Sequence, residues 1–189
     1  MALEGLEIRP VLRLEDLALS IHEGVAGTVV RCFGHVVLER VSGDASLRAA
    51  VRLLAQQTPP SAGQALHGPK KEVEFVRRVG GLARRVGCTG RHLRTHSRQA
   101  GLSLKGLVRW SVLLHGLGLF QPMLMPWTTI AVRLGFSDNS ALATQFRRTA
   151  GECPMRLARR PWRLVLARAL GGVTSRGRKG EEEEGTKSP

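Results

Sequence analysis

Cys88, His92 and His96 stand four residues apart, so a helix through them would bring a thiol and two imidazoles toward one face. That is soft-ligand chemistry, and zinc is the metal it suggests. A structural zinc site takes four ligands, however, and the sequence offers no fourth; Cys88 also falls in a turn ahead of the regular helix. The plainer reading is a small residue at a turn followed by two histidines, with no metal site and no cofactor. Nucleophilic chemistry fares no better. Cys32, Cys88 and Cys153 are scattered, no Ser/His/Asp grouping is evident, and no glycine loop has the spacing that cradles a phosphate. The chain does not read as an enzyme.

Charge carries more information. The 189 residues have a net charge of +14. Residues 70–179 hold 22 Lys+Arg against 4 Asp+Glu, residues 1–69 hold 6 against 7, and residues 180–189 hold 1 against 4. A field concentrated in one segment attracts a polyanion, and phosphate contacts release condensed counterions as they form. No apolar run approaches the ~18 residues of a membrane-spanning helix, which leaves nucleic acid as the partner and no membrane. Tyr is absent and aromatics are 4% of the chain, which argues against a stacking platform for single strands. An odd number of dispersed cysteines suits a reducing compartment. The opening MALEGLEIRP lacks a basic start and apolar core, so a cytoplasmic, nucleoid-associated protein is expected.

The elements that would position this charge are legible in two places. In TTIAVRLGFSDNSALATQFRRTAGECP, residues 128–154, Ile130, Ala131 and Leu134 form one apolar helical face. Gly135 ends that helix as a C-cap, and Ser137 or Asp138 caps the next, in which Leu142 and Phe146 lie on the buried side. Helix, glycine turn, helix is the grammar of a helix-turn-helix, which lays its second helix in a DNA major groove. A second copy runs through GGLARRVGCTGRHLRTHSRQAGLSL, residues 80–104. Leu82, Ala83, Val86, Gly87 and Leu93 repeat the pattern of Ile130, Ala131, Leu134, Gly135 and Leu142, and Ala100-Gly101 repeats Ala150-Gly151. Between the copies an apolar helix is expected from Leu104 to Leu119, weakened by Gly116 and Gly118 and stopped by Pro122 and Pro126.

The remaining chain divides by composition. Residues 1–56 mix signals into a small α/β segment. A β-branched run follows Gly27, an apolar stretch spans Val36 to Val41, and a helix capped by Asp44 or Ser46 carries Leu47, Val51 and Leu54. Residues 57–71 collect Pro, Gly, Ser and Gln into a linker. Residues 171–189 are rich in Gly and charge and read as a disordered tail.

These residues resemble a known family. Ile130, Ala131, Gly135, Phe136, Asp138, Phe146, Arg147, Arg148, Gly151 and Pro154 fall on the recurrent phrase of AraC/XylS-type transcriptional regulators. The resemblance covers about residues 72–160, within a domain expected over 72–170. It implies a mainly α fold in which two helix-turn-helix units, joined by a long helix, reach adjacent major-groove segments on one face of double-stranded DNA. It also implies which side chains touch DNA: Arg91, Arg94, Thr95 and Arg98 in the first unit, and Asn139, Ser140, Ala143 and Thr144 in the second, with Arg147 and Arg148 gripping phosphate. An Arg fork can read guanine and an Asn can read adenine. RNA polymerase and a homodimer through the N-terminal segment are the further partners it suggests. Departures are visible as well. Thr144 stands where the family commonly has Arg, Ser97 where it has a core Phe, and FQPMLMPW replaces a short polar turn. Residues 1–56 faintly resemble the last third of a receiver domain lacking its phosphoacceptor half, or form a dimerisation module. Charge alone would also fit a non-specific architectural nucleic-acid binder.

Overall fold

The computed structural model describes residues 25–41, 43–57, 75–123 and 125–174. These form nine helices and contain no strand. In chain order they are α1 (Val25–Arg40), α2 (Ala45–Gln56), α3 (Val79–Val86), α4 (Gly90–Gln99), α5 (Leu104–Met123), α6 (Trp127–Arg133), α7 (Asn139–Ala150), α8 (Pro154–Ala158) and α9 (Trp162–Val173).

The helix α5 is the hub. Every other helix among the described residues packs against it. Its positions 110–119 are all buried, as expected of a helix apolar all round. It also runs to Met123, beyond the end expected at Leu119, so Pro122 lies in its last turn. Pro126 instead is the N-cap of α6. The connection between the two units is therefore the centre of the core.

Residues 25–40 correct the expectation of strand. Val29, Phe33 and Val37 are all buried, and their four-residue spacing places them along one side of α1, with buried Val41 just past its end. The β-branched residues suggested a strand, but their period suits a helix, and burial against α5 overrides propensity. Residues 1–24, on which much of the mixed α/β expectation and the receiver-like resemblance rests, lie outside the described residues; 25–40 and 45–56 are helical.

Asp44, not Ser46, caps α2, its carboxylate accepting the Leu47 amide N–H. Gly34 lets α1 and α2 meet, since a Cβ there would collide with the Ala55 methyl. Val29, Phe33, Leu47, Val51 and Leu54 belong to the same buried cluster as α5.

Gln57, expected to begin a linker, is buried instead. Its amide oxygen accepts from Val76 N at 3.0 Å, and its amide nitrogen donates to Ser111 Oγ at 3.3 Å. The rest of that linker, residues 58–71, lies outside the described residues. At the other end, Gly171 to Val173 belong to α9 and not to a tail. Thr174 bridges to Leu102, and Ser103 N donates to Val173 O at 2.7 Å. The expected disorder of residues 175–189 falls outside the described residues.

Candidate nucleic-acid interface

The two units are built alike down to their hydrogen bonds. Gly87 has φ 73° and Gly135 φ 76°, the left-handed region in which a Cβ is costly. After each, the next amide reaches back five residues: Cys88 N to Ala83 O at 3.0 Å, and Phe136 N to Ala131 O at 2.8 Å. This is the Schellman closure of a helix end. The second helices then start from side-chain caps. Thr89 Oγ1 accepts His92 N at 3.1 Å, and Asp138 Oδ1 accepts Ala141 N at 2.8 Å. Ser137, the alternative cap, donates its hydroxyl to Asp138 Oδ2 at 2.8 Å. The Ala141 N–H and the Ser137 hydroxyl hold the Asp138 carboxyl below its usual pKa, so the cap is charged at neutral pH. Gly101 and Gly151, which close the matching Ala-Gly phrases, also have positive φ.

Helical periodicity divides α4 into faces. Leu93 and Ser97 are buried, while Arg91, Thr95 and Arg98 are exposed on the opposite side. Arg94 is exposed on one flank, and His92 and His96 lie on the other. In α7, Leu142, Phe146 and Ala150 are buried and Asn139, Ser140, Arg147 and Arg148 are exposed. Ala143 and Thr144 are half-buried, so this helix offers a shallower and less charged outer face than α4.

A cleft of about 680 Å³ lies between the units. Its floor is α5, through Lys105, Val108, Arg109 and Val112; Arg94, Ser97 and Arg98 line it from α4, and Phe136 and Gln145 from the second unit. Arg77 and Arg78 join them from the segment ahead of α3, and no acidic residue lines the cleft. The Arg77 guanidinium lies 5.2 Å from the centre of the Phe136 ring, tying that segment to the second unit's turn. Ser97 occupies the place expected for a Phe and stays satisfied, its hydroxyl donating to Arg94 O at 3.0 Å. Sequence reasoning missed Arg77, Arg78, Lys105 and Arg109 as neighbours of Arg94. They were visible as basic residues, but no local signal says that they meet in one cleft.

The carboxylates in this region are already engaged. Within residues 75–174 these are Asp138 and Glu152 alone. Asp138 is the cap described above. Glu152 accepts a fork from Arg160, at 2.9 Å and 2.7 Å, and a bond from Arg168 at 2.6 Å. These bonds, Arg160's first, push its carboxyl down to about 2. Of Arg156, Arg159, Arg160, Arg163 and Arg168, two are thus held by Glu152, and all lie in or beside α8 and α9. Trp110 is buried, and Trp127 stacks on Phe120 at 4.7 Å and meets Phe146 edge-on at 5.6 Å.

Residues 82–160 match the family model described as a helix-turn-helix domain. The chain carries an AraC-type DNA-binding domain. The match spans both units, α5 between them and α8 behind, and takes in the residues that line the cleft except Arg77, Arg78 and Val79. The chain has no match among curated proteins or solved structures. The AraC-type family is one of DNA-binding transcription regulation and not a catalytic one. No helix among the described residues is long and apolar enough to cross a membrane.

Proposed function

We propose that this chain is a sequence-specific regulator, its domain spanning residues 72–170, that inserts α4 and α7 into adjacent major-groove segments of double-stranded DNA. The observation that carries the reading is the repeated turn geometry, which leaves the outer faces of both second helices exposed, one ahead of α5 in the chain and one after it. At 20 residues α5 is roughly 30 Å long, comparable to the ~34 Å between successive major-groove segments on one face of DNA. Arg91, Arg94, Thr95 and Arg98 read bases from α4, whereas Asn139, Ser140, Ala143 and Thr144 meet the second segment. Arg147 and Arg148, with Arg77, Arg78, Lys105 and Arg109 of the cleft, grip phosphate. With Thr144 half-buried and Ala143 offering only a methyl, α7 positions more than it specifies. RNA polymerase is the further partner of a regulator. A homodimer through the N-terminal segment would use the outer side of α1 and α2, because their apolar sides already face the core.

Selection of the purified full chain on a random duplex pool at near-physiological salt tests this. Two enriched blocks about 10 bp apart support both units. A single block leaves specificity with α4 alone. Binding with no enrichment that vanishes as salt rises favours the architectural alternative.

A further inference from the structure

The side chains of His92 and His96, on the flank of α4, converge on one oxygen of a carboxylate from a different part of the chain. Asp44 Oδ2 lies 3.2 Å from His96 Nδ1 and 3.5 Å from His92 Nε2. The two imidazole rings are 4.2 Å apart, and the three potential ligand atoms all lie within 4.8 Å of one another. Cys88, which the sequence spacing grouped with these histidines, is not one of the three. Asp44 supplies what the sequence could not show.

The spacing is that of a coordination sphere. Zinc holds His nitrogen and carboxylate oxygen at about 2.0–2.2 Å, which sets the edge of a tetrahedron at roughly 3.3–3.5 Å. Two edges of the triangle already have that length within a few tenths of an ångström. The carboxylate is oriented from behind, since Asp44 accepts the Leu47 amide in capping α2 with Oδ1 and turns Oδ2 toward the histidines. The Asp44 side chain is 18% exposed and those of His96 and His92 33% and 41%, so the group is sheltered yet reachable. A cavity of about 560 Å³ lined by Asp44, His96, Gln99 and Arg40 adjoins it and has room for water as a fourth ligand.

We propose that Asp44, His92 and His96 form a divalent transition-metal site, best matched by zinc, that clamps α2 to α4. Two imidazoles and one carboxylate suit Zn²⁺ better than Mg²⁺ or Ca²⁺, which take oxygen ligands. Because the histidines sit on the flank of α4, an occupied site leaves Arg91, Thr95 and Arg98 exposed. The metal acts on how firmly the N-terminal helices hold α4. The site does not depend on which DNA the protein reads, and its test needs no DNA.

The full chain, stripped with chelator, is titrated with Zn²⁺ alone by calorimetry and with Co²⁺ alone by visible absorption. We expect one equivalent bound, a tetrahedral Co²⁺ spectrum, and a Tm raised by roughly 5–10 °C at a hundredfold excess over Kd. H96Q and H92Q each weaken binding at least tenfold while keeping the metal-free Tm near that of the parent. D44N, which keeps a capping side chain, does the same, and C88S binds as the parent does. Absence of uptake at millimolar Zn²⁺, uptake that survives both H96Q and D44N, or uptake lost in C88S would each overturn the assignment.

Discussion

The His115 ring joins two parts of the chain 58 residues apart: its Nε2 lies 2.7 Å from the carbonyl oxygen of Gln57, at the end of α2. Its Nδ1 lies equally close to Ser111 O, one turn back on α5. A neutral imidazole has one N–H and so donates to one of these carbonyls at a time. Burial disfavours the imidazolium and lowers the His115 pKa from 6.5, although both carbonyl contacts oppose that shift. With the folded pKa below the unfolded one, the unfolded chain holds the extra proton between them. Stability is therefore lost as pH falls below about 6.5. We expect the Tm of the parent to fall faster than that of H115Q between pH 7 and 5, with H115Q roughly 1–3 kcal/mol less stable at pH 7. Parallel Tm curves would remove His115 as the source.

Phe146 is fully buried beneath the second unit, and a Cβ on Gly116 would lie 3.5 Å from its ring edge. Phe146→Ala should cost about 3–5 kcal/mol, because α5 and α6 cannot both collapse into the space. Denaturant unfolding followed by tryptophan fluorescence reads this directly, since Trp127 lies edge-on to Phe146. An unchanged midpoint would show that the ring does not hold the unit together.

Glu152 ties α8 and α9 to the end of α7 through Arg160 and Arg168. Its carboxyl is depressed from 4.5 to about 2, so its contribution is complete above 4.5 and fades as pH falls toward 2. Both arginines remain substantially exposed, and solvent screening keeps the effect modest. We expect Glu152→Gln to lower the Tm by about 2–4 °C at pH 7 and by progressively less below pH 4.5. A deficit that is constant with pH would point to packing in place of charge.

Adjacent glycines at the end of α9 should respond in opposite senses. A Cβ on Gly172 would collide with the Trp110 indole, whereas one on Gly171 meets nothing within 4 Å. Trp110 is buried in α5 and has no room to yield. Gly172→Ala is expected to destabilise by about 1–3 kcal/mol through overpacking. Gly171→Ala should stabilise by roughly 0.5–1 kcal/mol, because Ala is the better helix former. Equal effects from the two would mean that α9 does not press on Trp110.

DNA recognition is sharper at α4 than at α7 under the proposed function. Arg94→Ala should relax preference at one base position by roughly 1–3 kcal/mol in binding to the selected sites. Uniform weakening over all sequences would assign Arg94 to phosphate, in keeping with its place beside Arg98, Lys105 and Arg109 in the cleft.

The two helix-turn-helix units were legible in the sequence because their signals are local. A glycine that takes positive φ, a Ser/Thr/Asp cap and an apolar residue every three or four positions act within a dozen residues. Gly87, Gly135, Asp138, Leu93 and Phe146 all took the places those rules assign. The strand signal at Val29, Val30, Val36 and Val37 misled because β-branched propensity is weaker than burial. Tertiary structure alone decided that α1 would be a helix packed on α5 and that Gln57 would be core. It also brought Arg77, Lys105 and Arg109 beside Arg94, and Asp44 to His92 and His96. Each of these joins residues far apart in sequence, and no local rule encodes the meeting of two distant segments. The mainly apolar α5, buried from 110 to 119, makes those meetings possible, by giving every other described helix the same surface to pack against.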